Sequence, residues 1–305
     1  MADFKLYGRK YKLSVLTQRN AAISFDADIH FTFSIDKNML RYSQIAEITI
    51  HNLSPNTETD ILKNGAAVAL EVGYDNGAYG KIFAGPIRQA IRGKEDGTTY
   101  FLRLVCIDGD DPLNLGLCSL SVTAGTTVRK LAEQIARSST IPFDVKVDPV
   151  IGGQQLQKSA AVFGKPGDAL RNIALNNNAA FYYSDGSAYV SQLSKGPPAS
   201  VVDLNAQSGM VGMPTQTDQG IKVKCLINPN LKLDSWFHLN NKSIIVNQLE
   251  FGVPQTLLDL DGIYRIVSFV ASGDTRGNDW YMDIEAISQT GSIPAMLVDP
   301  SQNGM

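Results

Sequence analysis

The chain has 305 residues and a mass of 33.1 kDa, which is enough for about two domains. Hydrophobic residues make up 44% of it and charged residues 19%, so a packed core is expected and an intrinsically disordered chain is excluded. The net charge, 27 − 30 = −3, argues against a protein that wraps nucleic acid, because such binding needs an excess of lysine and arginine.

The first segment, residues 1–115, has the alternating apolar pattern of β-strands. The alternation is clearest in three runs: residues 29–35, 46–50 and 68–72. Between the last two runs, Ser54 followed by Pro55 is typical of a helix start. Asn64 and Gly65 then predict that this short helix ends in a left-handed turn. We therefore expect a small antiparallel barrel or sandwich with one connecting helix.

The second segment, residues 116–198, combines helices with a hairpin. Thr126 or Thr127 is expected to cap an amphipathic helix, and a second helix follows. Asp185-Gly186 between two apolar runs is typical of a type I′ hairpin turn. The sequence KGPP then marks a linker, so this segment is predicted to be a separate α/β insert domain.

Strands return in the third segment, residues 199–291, and they are predicted at residues 221–227, 243–247, 263–270 and 280–287. One of them repeats a strand of the first segment. Residues 97–107 (GTTYFLRLVCI) align with residues 277–287 (GNDWYMDIEAI) at an offset of 277 − 97 = 180. The alternatives are a duplicated unit and a chance similarity between two amphipathic strands. With a duplication, the predicted fold class is mainly β (α+β), with two related small antiparallel β-barrels flanking an α/β insert domain.

The residues that usually carry enzyme chemistry are few and scattered. His30, His51 and His238 accompany no nucleophile motif and no paired-histidine spacing for zinc. The acidic run at residues 108–112 (DGDDP) is either a site for a hard cation or a turn, and it lacks the spaced ligands of a calcium loop, which favours the turn. We expect no enzyme activity, no catalytic residue, no cofactor and no metal.

The cysteines and the hydropathy pattern bear on the cellular compartment. Cys106, Cys118 and Cys225 are far apart and form no CxxC motif, so reduced thiols in a cytoplasm are expected. No apolar run approaches the length of a membrane-spanning helix, and the N-terminus lacks the pattern of a signal peptide. We therefore expect no membrane-spanning segment.

The predicted C-terminal tail, residues 292–305, carries a short apolar patch. Its members are Ile293, Met296, Leu297 and Val298. One interpretation is a frayed terminus, which is common at chain ends. The other is an extended segment that binds a partner by strand addition, with these four side chains as the contact.

Several stretches of the chain carry a family resemblance. Residues 209–217 (GMVGMPTQT) followed by 220–229 (GIKVKCLINP), and the hairpin sequence at 273–281 (GDTRGNDWY), resemble the baseplate hub proteins of contractile-tailed phages. Residues 82–87 and 108–110 fit as well. The resemblance thus extends over nearly the whole chain and is most specific in its last third.

The resemblance implies a homotrimer at the tip of the tail tube, akin to the hub part of type VI secretion spike proteins. Two barrels per chain would form a pseudo-sixfold ring that joins the hexameric tail tube protein to the threefold central spike protein and passes DNA through its lumen. Other baseplate proteins and the tape measure protein are further expected partners. The expected location is the baseplate of a virion tail assembled in the bacterial host cytoplasm, without sequence-specific nucleic acid binding.

A glycan-binding or cell-wall-acting tail protein is the alternative function. Trp236 and Trp280 would then be platforms on which sugars stack, although tryptophan in an amphipathic strand is more often packed in a core or an interface. Symmetric trimerisation without turnover favours the structural role. Monomeric glycan binding or release of peptidoglycan fragments favours the alternative.

Overall fold

The computed structural model describes residues 5–18, 21–26, 29–95, 97–198, 201–217, 220–239 and 262–288. Strands account for 56% of the residues and helices for 17%, and the large sheets are antiparallel. The predicted mainly β fold class is therefore confirmed. Within the described ranges, no helix combines the length and the apolar character needed to cross a membrane.

The first segment folds into seven described strands and one helix. In chain order these are β1 (Lys5–Thr17), β2 (Ala22–Asp26), β3 (Phe31–Asn38), β4 (Gln44–His51), α1 (Pro55–Asn64), β5 (Gly65–Asn76), β6 (Tyr79–Glu95) and β7 (Thr99–Asp108). The predicted alternation is confirmed, because Phe31, Phe33 and Ile35 are buried while Ser34 between them is exposed.

The middle segment contains both helices and strands. After a π-helical turn (Asp111–Leu115) come β8 (Cys118–Val122), α2 (Val128–Ser138), β9 (Asp144–Val147), α3 (Pro149–Gly152), β10 (Ala160–Gly164), α4 (Pro166–Asn176), β11 (Ala179–Ser184) and β12 (Ser187–Gln192). Thr127 caps α2, since its hydroxyl accepts from the backbone N–H of Lys130. Asp185 and Gly186 have φ values of 54° and 87°, which confirms the predicted hairpin turn.

The last segment returns to strands. They are β13 (Val202–Leu204), β14 (Met210–Thr217), β15 (Gly220–Leu226), β16 (Trp236–Leu239), β17 (Ile263–Asp274) and β18 (Trp280–Ser288). The strands predicted near residues 221–227, 263–270 and 280–287 are thereby confirmed. The segment boundaries drawn from the sequence, at residues 115, 198 and 291, stay predictions.

Thirteen of the described strands form one sheet. The main path runs β14-β15-β18-β17-β3-β4-β7-β6-β5-β1-β2, with β16 beside β17 and β13 beside β16. β17 pairs with β3 over seven residues, from Ser268–Asn38 to Asp274–Thr32. This pairing joins strands of the first and last segments, and both segments contribute to one apolar core.

The middle segment has an apolar core of its own. α2 and α4 pack on the sheet β11-β12-β9 and on the antiparallel pair β8–β10. The buried face of α2 is formed by Leu131, Ala132 and Ile135. This is the amphipathic pattern that the sequence predicts for the helix.

The predicted left-handed end of α1 at Gly65 is wrong. Ser54 does cap the helix, because its Oγ accepts from the backbone N–H of Thr57, and Pro55 is the first helical residue. Gly65, however, has φ −61° and ψ 124° and leads directly into β5. A Cβ on Gly65 would lie 2.5 Å from the carbonyl oxygen of Ile61. Glycine is therefore needed here for close backbone approach and not for a left-handed conformation.

Candidate functional site

The described strands contain the same four-stranded unit twice. The strand order is β3-β4-β7-β6 in the first unit and β14-β15-β18-β17 in the second unit. All neighbouring strands within both units are antiparallel, and their order along the chain is the same. The similar sequences at residues 97–107 and 277–287 fall on β7 and β18, which occupy equivalent positions.

The two units also share their register. Ile48 faces Leu104 across β4 and β7, and Val223 faces Ile284 across β15 and β18. Equivalent residues of β4 and β15 differ in number by 223 − 48 = 175, and those of β7 and β18 differ by 284 − 104 = 180. Both differences are constant along the shared length. The alignment of β7 with β18 therefore also fixes which residues of β4 and β15 are equivalent.

A β-bulge lies at the same place in both units. The β6–β7 ladder shifts by one residue between Ile87 and Gln89, and the β17–β18 ladder shifts between Ile266 and Ser268. The offset from β6 to β17 is 266 − 87 = 179. Bulges bend a strand and increase its twist, so the two units curve in the same way.

One face of each unit packs in the core and the other is exposed. On the exposed face, the central strands β4, β7, β15 and β18 carry three acidic and three basic side chains: Glu47, Asp283, Glu285, Arg103, Lys222 and Lys224. Lys222 Nζ lies 2.7 Å from Glu285 Oε1, and this hydrogen bond is the main cause of the lowered pKa of Glu285. The charges that the four central strands carry on this face therefore balance.

The two units differ in what covers their edges. Within the described residues, β14 has a partner strand on one side only. β6 pairs with β5 through residues 79–86, but residues 89–95 pair with β7 alone. The equivalent edge of the second unit is occupied, since β17 pairs with β18 on one side and with β3 on the other. Within the described ranges, β14 and residues 89–95 of β6 thus each pair with one strand.

The turn of the β11–β12 hairpin is anchored to the first unit. Lys37 Nζ donates to Ser184 Oγ at 3.1 Å and lies 2.8 Å from Asp185 Oδ1. Asp108 is buried beside this pair, near the backbone N–H groups of Asp185 and Gly186. Burial raises the pKa of Asp108 to about 6, against the opposing effect of Lys37, and burial lowers the pKa of Lys37.

The base of the same hairpin is anchored to the second unit by Arg265. This side chain is 1% exposed. Its guanidinium donates to the carbonyl oxygens of Gln192 (3.0 Å) and Leu193 (2.8 Å), to Ser191 Oγ (3.0 Å) and to the Asp234 carboxylate. The hairpin therefore contacts the first unit at one end and the second unit at the other.

Two of the three histidines come together, and the third lies apart from them. The rings of His30 and His51 stack with their centroids 4.4 Å apart, and His30 Nε2 lies 2.9 Å from Asp274 Oδ1. Burial, and after it the His30 ring, lowers the pKa of His51. His238 Nδ1 lies 2.8 Å from Asp203 Oδ1. These contacts link each histidine to another strand or loop.

The acidic run at residues 108–112 divides between two environments. Asp108 is buried at the hairpin turn, whereas Asp110 and Asp111 both contact Arg88, at 3.3 Å and 2.5 Å. The chain turns here through the π-helical residues Asp111–Leu115. Among the described residues, no group of three or more histidine, cysteine, aspartate or glutamate side chains is arranged to hold a metal ion.

The two tryptophans considered as sugar platforms are buried. Trp236 is 5% exposed and Trp280 is 1% exposed. Arg265 lies over the Trp236 ring at 5.9 Å, and Arg9 lies over the Trp280 ring at 5.3 Å. Neither ring is available for stacking on a glycan in this fold. This burial counts against the glycan-binding alternative.

The predicted partner-binding tail, residues 292–305, lies outside the described residues. Ile293, Met296, Leu297 and Val298 lie outside the described residues, as does the strand predicted at 243–247. Binding of a partner by these four side chains stays a prediction.

Sequence patterns do not reveal the residues that join the segments or the strand edges that have one partner strand among the described residues. Lys37, Arg265 and Asp234 stand in no motif, because their contacts lie far apart in sequence. The 180-residue offset does not identify the strand edges either, because it changes to 175 between β4 and β15 and to 179 between β6 and β17.

Comparison with known proteins places the chain in a family. Residues 13–254, which are 254 − 13 + 1 = 242 of the 305 residues, match the family described as baseplate hub gp41. The chain belongs to this baseplate hub family. The resemblance to baseplate hub proteins is thereby confirmed. A comparison with curated proteins finds no match.

Solved structures of tail proteins share the fold. The 43 kDa tail protein of prophage MuSo2 from Shewanella oneidensis is 9% identical with a TM-score of 0.59, covering 96% of this chain and 100% of that one. A tail protein from Neisseria meningitidis is 14% identical with a TM-score of 0.56, covering 92% and 97%. An E. coli type VI secretion component, described as structurally similar to the T4 tail proteins gp27 and gp5, is 10% identical with a TM-score of 0.54, covering 89% and 78%.

Proposed function

We propose that this baseplate hub protein is a homotrimeric adaptor between the hexameric tail tube protein and the threefold central spike protein of a contractile phage tail. The observation that carries the proposal is the duplicated four-stranded unit, with its common register and bulge. A hexameric tube presents six equivalent surfaces and a threefold spike presents three. Three chains with two equivalent units each supply 3 × 2 = 6 docking surfaces in a pseudo-sixfold ring.

The exposed face of the units lines the lumen through which DNA passes. Lysine and arginine contacts with phosphates add salt-dependent affinity, so a basic lining would retain the DNA. The three acidic and three basic side chains leave the central strands of this face without net charge. Balanced charge supports passage of DNA without sequence-specific binding.

The proposed role is structural and does not include catalysis. Membership in the hub family and the burial of both tryptophans support this role over a cell-wall-acting one. Further proposed partners are the other baseplate proteins and the tape measure protein, in a virion baseplate assembled in the host cytoplasm. Residues 292–305 are proposed to bind the spike or a neighbouring subunit.

Cryo-EM of the assembled tail tip tests the proposal. We expect three copies of the chain per tip, with both units of each copy in one ring below the tube. Two or six copies, or a lumen lined by a basic ring, would contradict it. Density for residues 292–305 on a neighbouring protein supports the binding role of the tail, and density folded back on its own chain argues against that role.

A further inference from the structure

We propose that residues 289–298 of one chain bind a groove in the middle segment of a neighbouring chain. This inference rests on the proposed role of residues 292–305 in binding a neighbouring subunit, and it names the surface that receives them. The groove, its polar rim, the composition of residues 289–298 and the layer order of the fold carry it, and each is described in turn.

The groove has a volume of about 570 Å³ and lies between α2, α4 and β10. Val128, Leu131 and Ile135 of α2 line it and are buried. Phe163 of β10 also lines it, and this side chain is 88% exposed. A large exposed aromatic side chain beside a concave apolar surface is typical of a binding site.

The polar part of the lining consists mainly of carboxamides. They belong to Gln154, Gln155, Gln157, Asn172, Asn176 and Asn177. Among the described residues, Asn177 is the member of this set whose side chain forms a hydrogen bond, from its Nδ2 to Ile173 O at 2.7 Å. A carboxamide has donors and an acceptor but no charge, so the other five can pair with the backbone of a bound peptide.

The charges of the lining balance, because its charged residues are one lysine, Lys165, and one aspartate, Asp168. The groove therefore suits an extended, uncharged peptide with apolar side chains. Residues 289–298 (QTGSIPAMLV) have this composition, with no charged side chain and an apolar run from Ile293 to Val298. Ten extended residues span about 33 Å, which exceeds the length of α4, about 17 Å.

The layer order of the fold favours a neighbouring chain as the source of the peptide. Ala180 and Tyr182 of β11 pack in the core to which β18 contributes. Phe181 and Tyr183, on the other side of β11, pack in the core with α2 and α4. The β11-β12-β9 sheet thus lies between the helices and the end of β18 at Ser288. Residues 289–298 of the same chain would have to pass around an edge of this sheet.

Site-specific photo-cross-linking in assembled phage tails tests the proposal. Phe163 of the full-length chain is replaced by photo-reactive benzoylphenylalanine, and the illuminated tails are denatured and separated on a gel. We expect a product of two chains, and mass spectrometry should find the cross-link within residues 289–298. Ala161 is exposed and also lines the groove, so it is the second probe position if the Phe163 variant forms no tails.

Two controls accompany the probe. The same photo-reactive residue at Val150, which is 63% exposed on α3 and lies outside the groove, should give several-fold less of the two-chain product. With the probe at Phe163, Leu297→Asp should lower the yield several-fold, because its carboxylate would be buried against apolar side chains. Gln302→Asp adds the same charge beyond the apolar run and should leave the yield unchanged.

The outcomes separate the groove from the proposed ring. A cross-link to residues 289–298 within a single chain overturns the assignment to a neighbouring chain. A cross-link to the spike or another protein overturns the assignment of the groove to these residues. The number of copies in cryo-EM of the same tails tests the ring independently. Three copies per tip, with a Phe163 probe no more reactive than the Val150 control, overturn the groove and leave the ring.

Discussion

Asp108 and Lys37 are ionisable side chains buried where the middle segment meets the first unit. Asp108 is 4% exposed, and its Oδ2 atom has no hydrogen-bond partner. Burial raises the pKa of its carboxyl group from 3.8 to about 6. The folded chain therefore holds a proton that the unfolded chain releases at lower pH. Stability from this group is present below the unfolded pKa and is lost as the pH rises through the folded pKa.

Asp108→Asn is expected to remove this pH dependence. Between pH 4 and pH 7 the wild-type protein should lose about 2–3 kcal/mol of unfolding free energy that the variant does not lose, since one pKa unit is about 1.4 kcal/mol. Urea unfolding followed by tryptophan fluorescence at several pH values measures the difference. Parallel curves for the two proteins would show that Asp108 ionises in the folded chain as it does in the unfolded one.

At the scale of elements, the backbones of β15 and β18 approach each other closely at Gly220. A Cβ on this residue would lie 2.0 Å from the carbonyl oxygen of Ala286 and 2.8 Å from the Cα atom of Ile287. Both atoms belong to the backbone of the neighbouring strand, so a methyl group can be accommodated only if the strands separate. This contact lies inside the second unit, at the end of the β15–β18 ladder.

Gly220→Ala is therefore expected to destabilise the protein by about 1–3 kcal/mol, the usual cost of overpacking. Gly196→Ala is the matched control, because nothing lies within 4 Å of a Cβ at Gly196. That control should change stability by less than about 0.5 kcal/mol. The midpoints of thermal unfolding compare the two variants, and equal midpoints would mean that the second unit adjusts to the extra methyl group.

The sequence predicts these elements better than it predicts their contacts. Alternation locates β3, and Ser54 with Pro55 locates the start of α1, because both signals are local. Lys37 lies on the buried phase of β3, in the same alternation as Phe33 and Ile35, but alternation does not show that its amine meets Asp185 of the β11–β12 hairpin there. Glycine commonly ends helices, but the role of Gly65 depends on its close approach to the carbonyl oxygen of Ile61 in the folded chain. Such distances follow from tertiary packing, which periodicity does not describe.

At the scale of the whole molecule, the charge of the exposed face affects how DNA moves through the proposed ring. Glu47→Lys with Asp283→Lys shifts each chain by 2 × 2 = 4 positive charge units on strands that are otherwise unchanged. We expect particles with normal tails but slower DNA release, and the delay should shrink at high salt because phosphate contacts are salt-dependent. Glu47→Gln with Asp283→Asn is the matched control, which removes negative charge without adding positive charge.

Release rates of purified particles at two salt concentrations measure the effect. Equal rates for the lysine and amide variants would place this face away from the path of the DNA. Failure of the lysine variant to form tails would instead assign the face to contacts between subunits. Electron microscopy of the same particles distinguishes these outcomes.

The β11–β12 hairpin has a mechanical consequence for such a ring. It spans the β17–β3 pairing like a brace, held through Lys37 at its turn and through Arg265 at its base. A β-ladder alone twists readily, so the β17–β3 pairing does not define a single angle between the two units. In the proposed ring, we expect the two anchors to hold that angle constant. A head-to-tail assembly whose rotation does not close forms a filament, so we expect the middle segment to determine whether the proposed ring closes.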